Sequence, residues 1–563
     1  MLKLRWKTVL GCCLSLAALA GILAIALSRG SGEQSEMAAV EFLQPSGFYD
    51  DDFYLELRGY GDPIYYTVDS TDPDINSTLY TGPIHIGDAS PNENVYSART
   101  DTSPYFDRAL IERNKAELQR EYFAPERPVD KATVIRATCI DASGQRGPIS
   151  TAVYFVGIGE KQGYKNLNII TITTDPANLF DDNKGIYVQG SEFKNALVDG
   201  IVQSKSKPFF WPANYNKRGR EWEREANIQC FDPQGNLIFA GPCGIRTQGH
   251  ATRGYMPKNL NIYARREYGC AAFDTGSLFS REYVLNRLNL FYGWDDLMIT
   301  DYLINEKIDA IDVTKRECAP CAMFLDGEYW GVFWLSPRFK EDYLSQAYGV
   351  KEDNIVVIKN GGVEVGEKED IELYRDMVSY ISDNDMRSPE AFEKACELID
   401  MQSFIDYFAT EIYVANNDWP NNNYALWRSR QVASGALSDG RWRWILFDMD
   451  HGLKLENAEA DIMARALKLN TLFASLMRNE DFQRMFTDRL LEMATDVFAP
   501  ERMDVLIDNY KADMAQAIEK KYQRFCGKDY TLENNFYKGC EDIKTFLRKR
   551  QAYILKTYGG EEK

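Results

Sequence analysis

Asn416-Asn417-Asp418-Trp419-Pro420-Asn421-Asn422-Asn423-Tyr424 follows an apolar, helix-like run carrying Phe404, Tyr407 and Ile412, and its reading decides the fold. A second stretch belongs with it: Trp442-Arg443-Trp444-Ile445-Leu446-Phe447-Asp448-Met449-Asp450-His451-Gly452, a hydrophobic strand that stops in two carboxylates and a glycine. Carboxylates and amides at the ends of buried elements supply the oxygen donors that a hard divalent cation needs. Mg²⁺ is usually held by one or two carboxylates together with substrate phosphates. The plainer alternative is a capped loop and a strand-end turn. The spacing speaks for chemistry: Asn423 follows Asp418 by five residues, and Asp450 follows Asn423 by 27.

Inventory narrows the chemistry further. The chain has only three histidines, His85, His250 and His451, in separate segments, which leaves a histidine triad or a multi-histidine metal site without material. Acid–base work falls to carboxylates, of which there are 84, most of them solvated surface. Cys318-Ala-Pro-Cys321 has metal-ligand spacing but no second pair and no nearby histidine, so packed thiols or a local disulfide are expected there.

With 563 residues, 45% apolar and 13% aromatic, the chain has material for two to four packed domains. The formal net charge is −19, and the first thirty residues contribute Lys3, Arg5, Lys7 and Arg29 with no acid, so the remainder is four units more negative still. Such a surface repels phosphate backbones, and nucleic acid is not an expected partner. Lys3, Arg5 and Lys7 precede an uncharged stretch from Thr8 to Ser28, long enough to cross a hydrocarbon core as a helix. Residues 1–37 are read as a cytoplasmic stub, a single-pass signal anchor and a polar linker. The C-terminal region would then lie outside the cell, and a secreted chain with a cleaved signal peptide is the alternative.

Residues 38–157 read as β-structure, a small β-sandwich interrupted by a charged, helix-like insertion at about 104–122. From residue 165 strands and helices mix. Gly185-Ile186-Tyr187-Val188 reads as a strand, and residues 226–263 as a meander broken at Gly235, Gly241 and Gly249. Residues 296–311, 338–347, 366–382 and 390–416 read helical, and from about 460 onward almost everything does.

The segment PIYYTVDSTDPDINSTLYTGPIHI (residues 63–86) resembles the chitobiase/hexosaminidase C-terminal domain family, through Asp69-Ser70-Thr71-Asp72-Pro73 and Tyr80-Thr81-Gly82-Pro83. That resemblance implies an accessory, non-catalytic module, one whose removal leaves activity intact, with cell-wall glycan as its contact.

The larger resemblance is over residues 165–555. Asp418 to Asn423 matches the offset in the protein-kinase catalytic loop H-R-D-x-x-x-x-N, and Asp450-His451-Gly452 has the form of D-F-G with histidine for phenylalanine. With Gly249-His250-Ala251-Thr252-Arg253, Pro257-Lys258, Phe324-Leu325-Asp326-Gly327-Glu328-Tyr329-Trp330-Gly331-Val332, NNDWPNNNYALWR (416–428) and RWRWILFDMDHG (441–452), the chain resembles the CotH (spore coat protein H) kinase family of bacteria. The resemblance implies an α+β fold: an atypical protein-kinase-like domain with a helical C-terminal part, here preceded by the β-sandwich and the transmembrane helix. It implies ATP and Mg²⁺ or Mn²⁺ as cofactors and a protein Ser/Thr hydroxyl as acceptor. Asp418 would be the catalytic carboxylate, Asn423, Asp450 and Asp448 would serve the metal, and Lys258, Arg253 and Arg246 the nucleotide. Two departures stand out. Leu335-Ser336-Pro337-Arg338 has proline where the family usually carries glutamate, and Thr300-Asp301 replaces Arg-Asp. They keep open a non-catalytic, kinase-fold surface protein that binds or supports.

Overall fold

The computed structural model describes residues 38–158, 163–292 and 296–560. The anchor expected at residues 8–28 lies outside them. Among the described residues no helix is long and apolar enough to cross a membrane.

The N-terminal module is built on a five-stranded sheet. Its strands are β1 (Gly47–Tyr49), β2 (Ile64–Thr67), β3 (Thr78–Leu79), β4 (Thr133–Cys139) and β5 (Ser150–Val156), in the order β1-β5-β4-β2-β3. Two small pairs, Glu41–Phe42 with Leu57–Arg58 and Phe53–Leu55 with Ile84–Ile86, complete the β-structure. Ile135, Ala137, Cys139, Ala152, Tyr154 and Val156 fill the module's own core, with Leu55, Leu57 and Ile86 from those pairs. The alternate residues Val134, Val153 and Phe155 join the large core of the rest of the chain. Successive strand residues point to opposite faces, so the sheet is buried on both sides. The charged insertion carries a short helical stretch at Arg108–Arg113.

Seven strands close a barrel: β6 (Asn168–Thr173), β7 (Arg224–Phe231), β8 (Leu237–Gln248), β9 (Asn259–Tyr263), β10 (Arg287–Phe291) and, after β11 (Thr314–Lys315) of another sheet, β12 (Ala319–Leu325) and β13 (Glu328–Pro337). Every neighbouring pair is antiparallel except β6 with β12, which close the barrel in parallel. All ten residues of β13 are buried. β12 and β13 are joined by Asp326-Gly327, where φ is +47° and +86°, the conformation of a two-residue hairpin that glycine permits at its second position. Gly241 lies inside β8 rather than at a break, and Gly185–Val188 forms no strand; a short helix, Pro176–Phe180, precedes it.

That hairpin is where the module docks. The Ala132 amide donates to Gly327 O at 2.8 Å, and the Glu328 carboxylate accepts from the Val95 and Ser97 amides at 2.7 and 2.6 Å. Phe155 meets Phe324 edge-on with centroids 5.0 Å apart, and Phe48 meets Phe231 at 5.5 Å. The module keeps its own sheets but docks tightly on the barrel and shares part of its core.

After the barrel, α1 (Glu341–Tyr348) leads into a second sheet. It contains β11, β14 (Ile355–Lys359), β15 (Gly362–Val365), β16 (Ala425–Ser429) and β17 (Arg443–Leu446), in the order β11-β17-β16-β14-β15. α2 (Met401–Tyr413) packs on β17, and α3 (Glu480–Glu492), α4 (Pro500–Phe525) and α5 (Lys538–Tyr558) complete the helical lobe. The helix expected over 390–416 is two helices, Pro389–Leu398 and α2. Asp400 caps α2 through the Ser403 amide, and Ile399 is drawn into a bridge with Trp442. The helix expected over 296–311 is confined to Thr300–Lys307.

Candidate active site

One edge of the second sheet collects the chemistry, and strand register explains why. β16 and β17 are antiparallel with Ala425 opposite Ile445, so the residues before β16 and after β17 emerge at the same end. That places Asn423 beside Phe447 and Asp448. β14 runs antiparallel to β16 with Lys359 opposite Ala425, and β11 runs parallel to β17 with Lys315 beside Leu446. Lys359 and Arg316 therefore reach this edge too.

The loop before β16 is internally braced. Asp418 Oδ2 accepts from Asn423 Nδ2 at 2.8 Å and from Asn422 Nδ2 at 3.2 Å. Among the described residues Oδ1 receives no hydrogen bond. The Asp418 amide donates to Asn416 Oδ1 at 3.1 Å, and Asn416 Nδ2 donates to Glu411 Oε2 at 2.9 Å. Asn360, after β14, clamps the far side: its Nδ2 donates to Asn422 Oδ1 at 3.2 Å and its Oδ1 accepts from the Tyr424 amide at 3.2 Å. Asn423 and Asp448 both adopt left-handed backbone, with φ of +57° and +62°, which Asn and Asp tolerate better than other non-glycine residues. Strain of this kind concentrates at functional sites.

The turn after β17 is fixed from two sides. Asp301 Oδ1, buried, accepts from the Met449 amide at 2.9 Å, and the Leu453 amide donates to Val414 O at 2.8 Å. Asp301 is the partner of Thr300 in the dipeptide singled out above, so its acid is retained although the preceding arginine is not. Asp450 is buried and Asp448 half-buried. Asp448 makes no hydrogen bond or ion pair among the described residues. Asn423 turns its amide nitrogen to Asp418, leaving Oδ1 as an oxygen donor at the strand ends where Asp448 also emerges. Two carboxylates and an amide oxygen fit a hard cation that completes its shell with water and phosphate. Among the described residues no three His, Cys, Asp or Glu side chains form a ready cage. The thiols of Cys318 and Cys321 are not joined in a disulfide and are directed to the Arg316 and Phe333 carbonyls.

Of the three expected nucleotide contacts, Lys258 and Arg253 are committed to backbone carbonyls. Lys258 is completely buried, its Nζ donating to Arg253 O at 2.6 Å and Tyr255 O at 3.3 Å and lying 3.9 Å from the Tyr215 ring centroid. Burial, aided by Arg253, holds its ammonium well below the ordinary lysine value. Arg253, also buried, donates to the carbonyls of Gly249, Tyr215 and Lys217, and burial lowers it to about 10. Both brace the loop ahead of β9 and neither meets the carboxylates. Arg246 is half-buried and comes closer to the lobe junction: it donates to Tyr263 Oη at 2.6 Å, which also accepts from Arg338 at 3.2 Å.

Sequence reading missed Lys359, Arg316, Glu364, Asn360 and Glu411. Arg316 sits among Phe291, Phe339 and Phe447, with its guanidinium carbon 4.4 Å from the Phe291 centroid, joining the second sheet to the barrel. Pro337 ends β13, and the acid that meets the cations there is Glu364 of β15, 2.8 Å from Lys340 and 3.7 Å from Arg338. The only signal for Lys359 was a lysine closing the run Ile-Val-Val-Ile before Asn-Gly-Gly. A polar cavity of about 530 Å³ borders the loop, lined by Asn417, His451, Lys454 and Tyr522 among others.

Glu411 gives a testable pH effect. It is fully buried, and burial, reinforced by Asp301 and Asp448, pushes its carboxyl up to about 8 although Asn416 and Tyr407 oppose the shift. A folded-state value above the unfolded one means the native protein holds a proton that the unfolded chain has released. Stability from this group is therefore complete below about 4.5, falls as pH rises, and levels off above about 8, with a slope of at most about 1.4 kcal/mol per pH unit. Glu411→Gln keeps an acceptor for Asn416 and is expected to flatten melting temperature against pH between 5 and 8. A variant with the parent's slope would count against this assignment.

A seven-stranded barrel apposed to a helical lobe, with an Asp–amide loop and an Asp-x-Asp turn on one sheet edge, defines a two-lobed protein of kinase-like type. Residues 245–554, more than half the chain, match the family model described as CotH kinase protein, and the chain belongs to that family. Residues 55–154 match the model described as Fn3 associated. No curated protein matches the chain.

Proposed function

We propose that the chain is an ATP- and divalent-metal-dependent protein kinase, tethered with its large C-terminal region outside the membrane. The observation that carries this is the convergence of Asp418, Asn423, Asp448 and Asp450 on one sheet edge, two of them in left-handed backbone. Asp448, Asp450 and Asn423 Oδ1 would hold Mg²⁺ or Mn²⁺, which when bound neutralises charge on the β- and γ-phosphates. The acceptor is a Ser or Thr hydroxyl, and the cavity beside Asn417 gives it room to approach. Its oxygen forms the new bond to the γ-phosphorus as the bond to the β-phosphate oxygen breaks, ADP leaves, and the hydroxyl proton passes to Asp418. The protein contributes chiefly position and charge, since this chemistry asks little covalent work of it.

A second reading, a non-catalytic kinase-fold protein that binds at the surface, draws on Lys258 and Arg253 being committed to backbone carbonyls. Full-length protein incubated with labelled ATP, Mg²⁺ or Mn²⁺ and casein separates the two. Labelling is expected, and Asp450→Asn is expected to weaken metal-dependent ATP binding at least tenfold by calorimetry, since it removes a charged ligand. A parent that binds no ATP would leave the binding reading standing.

A further inference from the structure

We infer that Lys359, at the end of β14, is the cation that receives the polyphosphate of the nucleotide, a role that rests on the kinase reading. Its position follows from register: opposite Ala425, it emerges at the edge that presents Asn423 and Asp448. The ammonium lies 4.5 Å from the centroid of Phe447, the residue before Asp448.

Elimination among the neighbouring cations points the same way. Arg316 is enclosed by three aromatic rings and faces Asp301 at 4.0 Å. Lys340 is held by the Glu364 carboxylate and the Glu364 carbonyl, the latter at 2.7 Å. Arg338 is shared between Tyr263 and Glu364. Arg246 donates to Gly219 O and Tyr263. Lys359 alone of this group makes no hydrogen bond or ion pair with any described residue. The charges that act on it are Asp448 and Glu364, which favour its protonated form, and Arg316 and Arg338, which oppose it. The residue reaches solvent, while the atoms crowded around the ammonium, and then Arg316 and Arg338, hold its proton affinity below that of an ordinary lysine. A cation in that position, near a carboxylate that no described residue hydrogen-bonds, suits an anion that brings a metal with it. A nucleoside di- or triphosphate has that chemistry, and a monophosphate presents less of it.

Glu364 gives the arrangement its selectivity. By pairing with Lys340 and Arg338, it leaves Lys359 as the one of these five cations without a hydrogen bond or ion pair among the described residues. Its own carboxyl, raised by burial, is brought below the ordinary glutamate value by Lys340, Arg338 and Lys359.

Calorimetry on full-length parent, Lys359→Met, Lys359→Arg and Lys258→Met, with ATP·Mg²⁺, ADP·Mg²⁺ and AMP, tests the assignment, with thermal melts alongside. Lys359→Met should lose roughly 10- to 100-fold in ATP and ADP affinity, the range for one hydrogen bond to a charged group, with AMP affinity and melting temperature near the parent's. Lys359→Arg should recover part of the loss. Lys258→Met should shift the melting temperature and leave ATP affinity of the folded protein close to the parent's. If the parent binds ATP and Lys359→Met binds it equally, or if Lys258→Met alone loses ATP, this inference is overturned while the kinase reading survives. A parent that binds no nucleotide overturns both.

Discussion

Asp418→Asn is expected to lower phosphotransfer turnover by roughly 10²–10⁴, the usual contribution of a positioned general base, with ATP·Mg²⁺ affinity unchanged within about twofold. The geometry makes this substitution informative. The carboxylate uses Oδ2 to accept from Asn422 and Asn423, and an asparagine can present its amide oxygen to the same two donors. Its backbone amide keeps the bond to Asn416 Oδ1. The loop should therefore survive, while the free Oδ1, the atom able to take a proton, is replaced by an NH₂ that cannot. Asp450→Asn should show the opposite pattern, with nucleotide affinity falling first. Steady-state kinetics and calorimetry on the same preparations would check both. Asp418→Asn turning over at the parental rate would remove Asp418 from the chemistry.

How much of this was legible in the sequence depends on how local each signal is. Asp418 and Asn423 are five residues apart on one loop, and Asp448 and Asp450 close a visibly apolar strand, so spacing alone brought them forward. Lys359 was invisible because its role comes from pairing with Ala425, 66 residues on, and no local pattern encodes that register. Lys258 came forward only through the family resemblance, and closure of the barrel buries it between Tyr187 and Tyr215. The module offered a signal that went unread. Thr133-Val134-Ile135 and Ala152-Val153-Tyr154-Phe155 are apolar at consecutive positions, and a run without alternation marks a strand covered on both faces. Helix 390–416 was divided by Asp400, whose capping bond to Ser403 is the kind of start signal that spacing of apolar residues alone overrides.

Deleting residues 38–157 is expected to leave a chain that does not fold cooperatively, because the module supplies part of the barrel's own core. Phe155 and Phe48 would be withdrawn from Phe324 and Phe231, and Tyr105 from its stack on Tyr255. Removing one buried aromatic side chain costs about 3–5 kcal/mol, and the total stability of a native protein is only about 5–15 kcal/mol, so losing buried Phe155 and Tyr105 with half-buried Phe48 takes a large part of the whole. The polar losses add to this. Glu328, buried on β13 under the module, would lose both amide donors. Lys520 of α4 would lose Asp130, its partner at 2.7 Å, loosening the helix that packs on β13. Point variants separate this interface from gross truncation. Phe155→Ala and Glu328→Ala should each lower the melting temperature of the full-length protein, and calorimetry of the parent should show the module and barrel melting in one transition. Two well-separated transitions in the parent, with a deletion protein that melts and labels like it, would show that the module is separable after all.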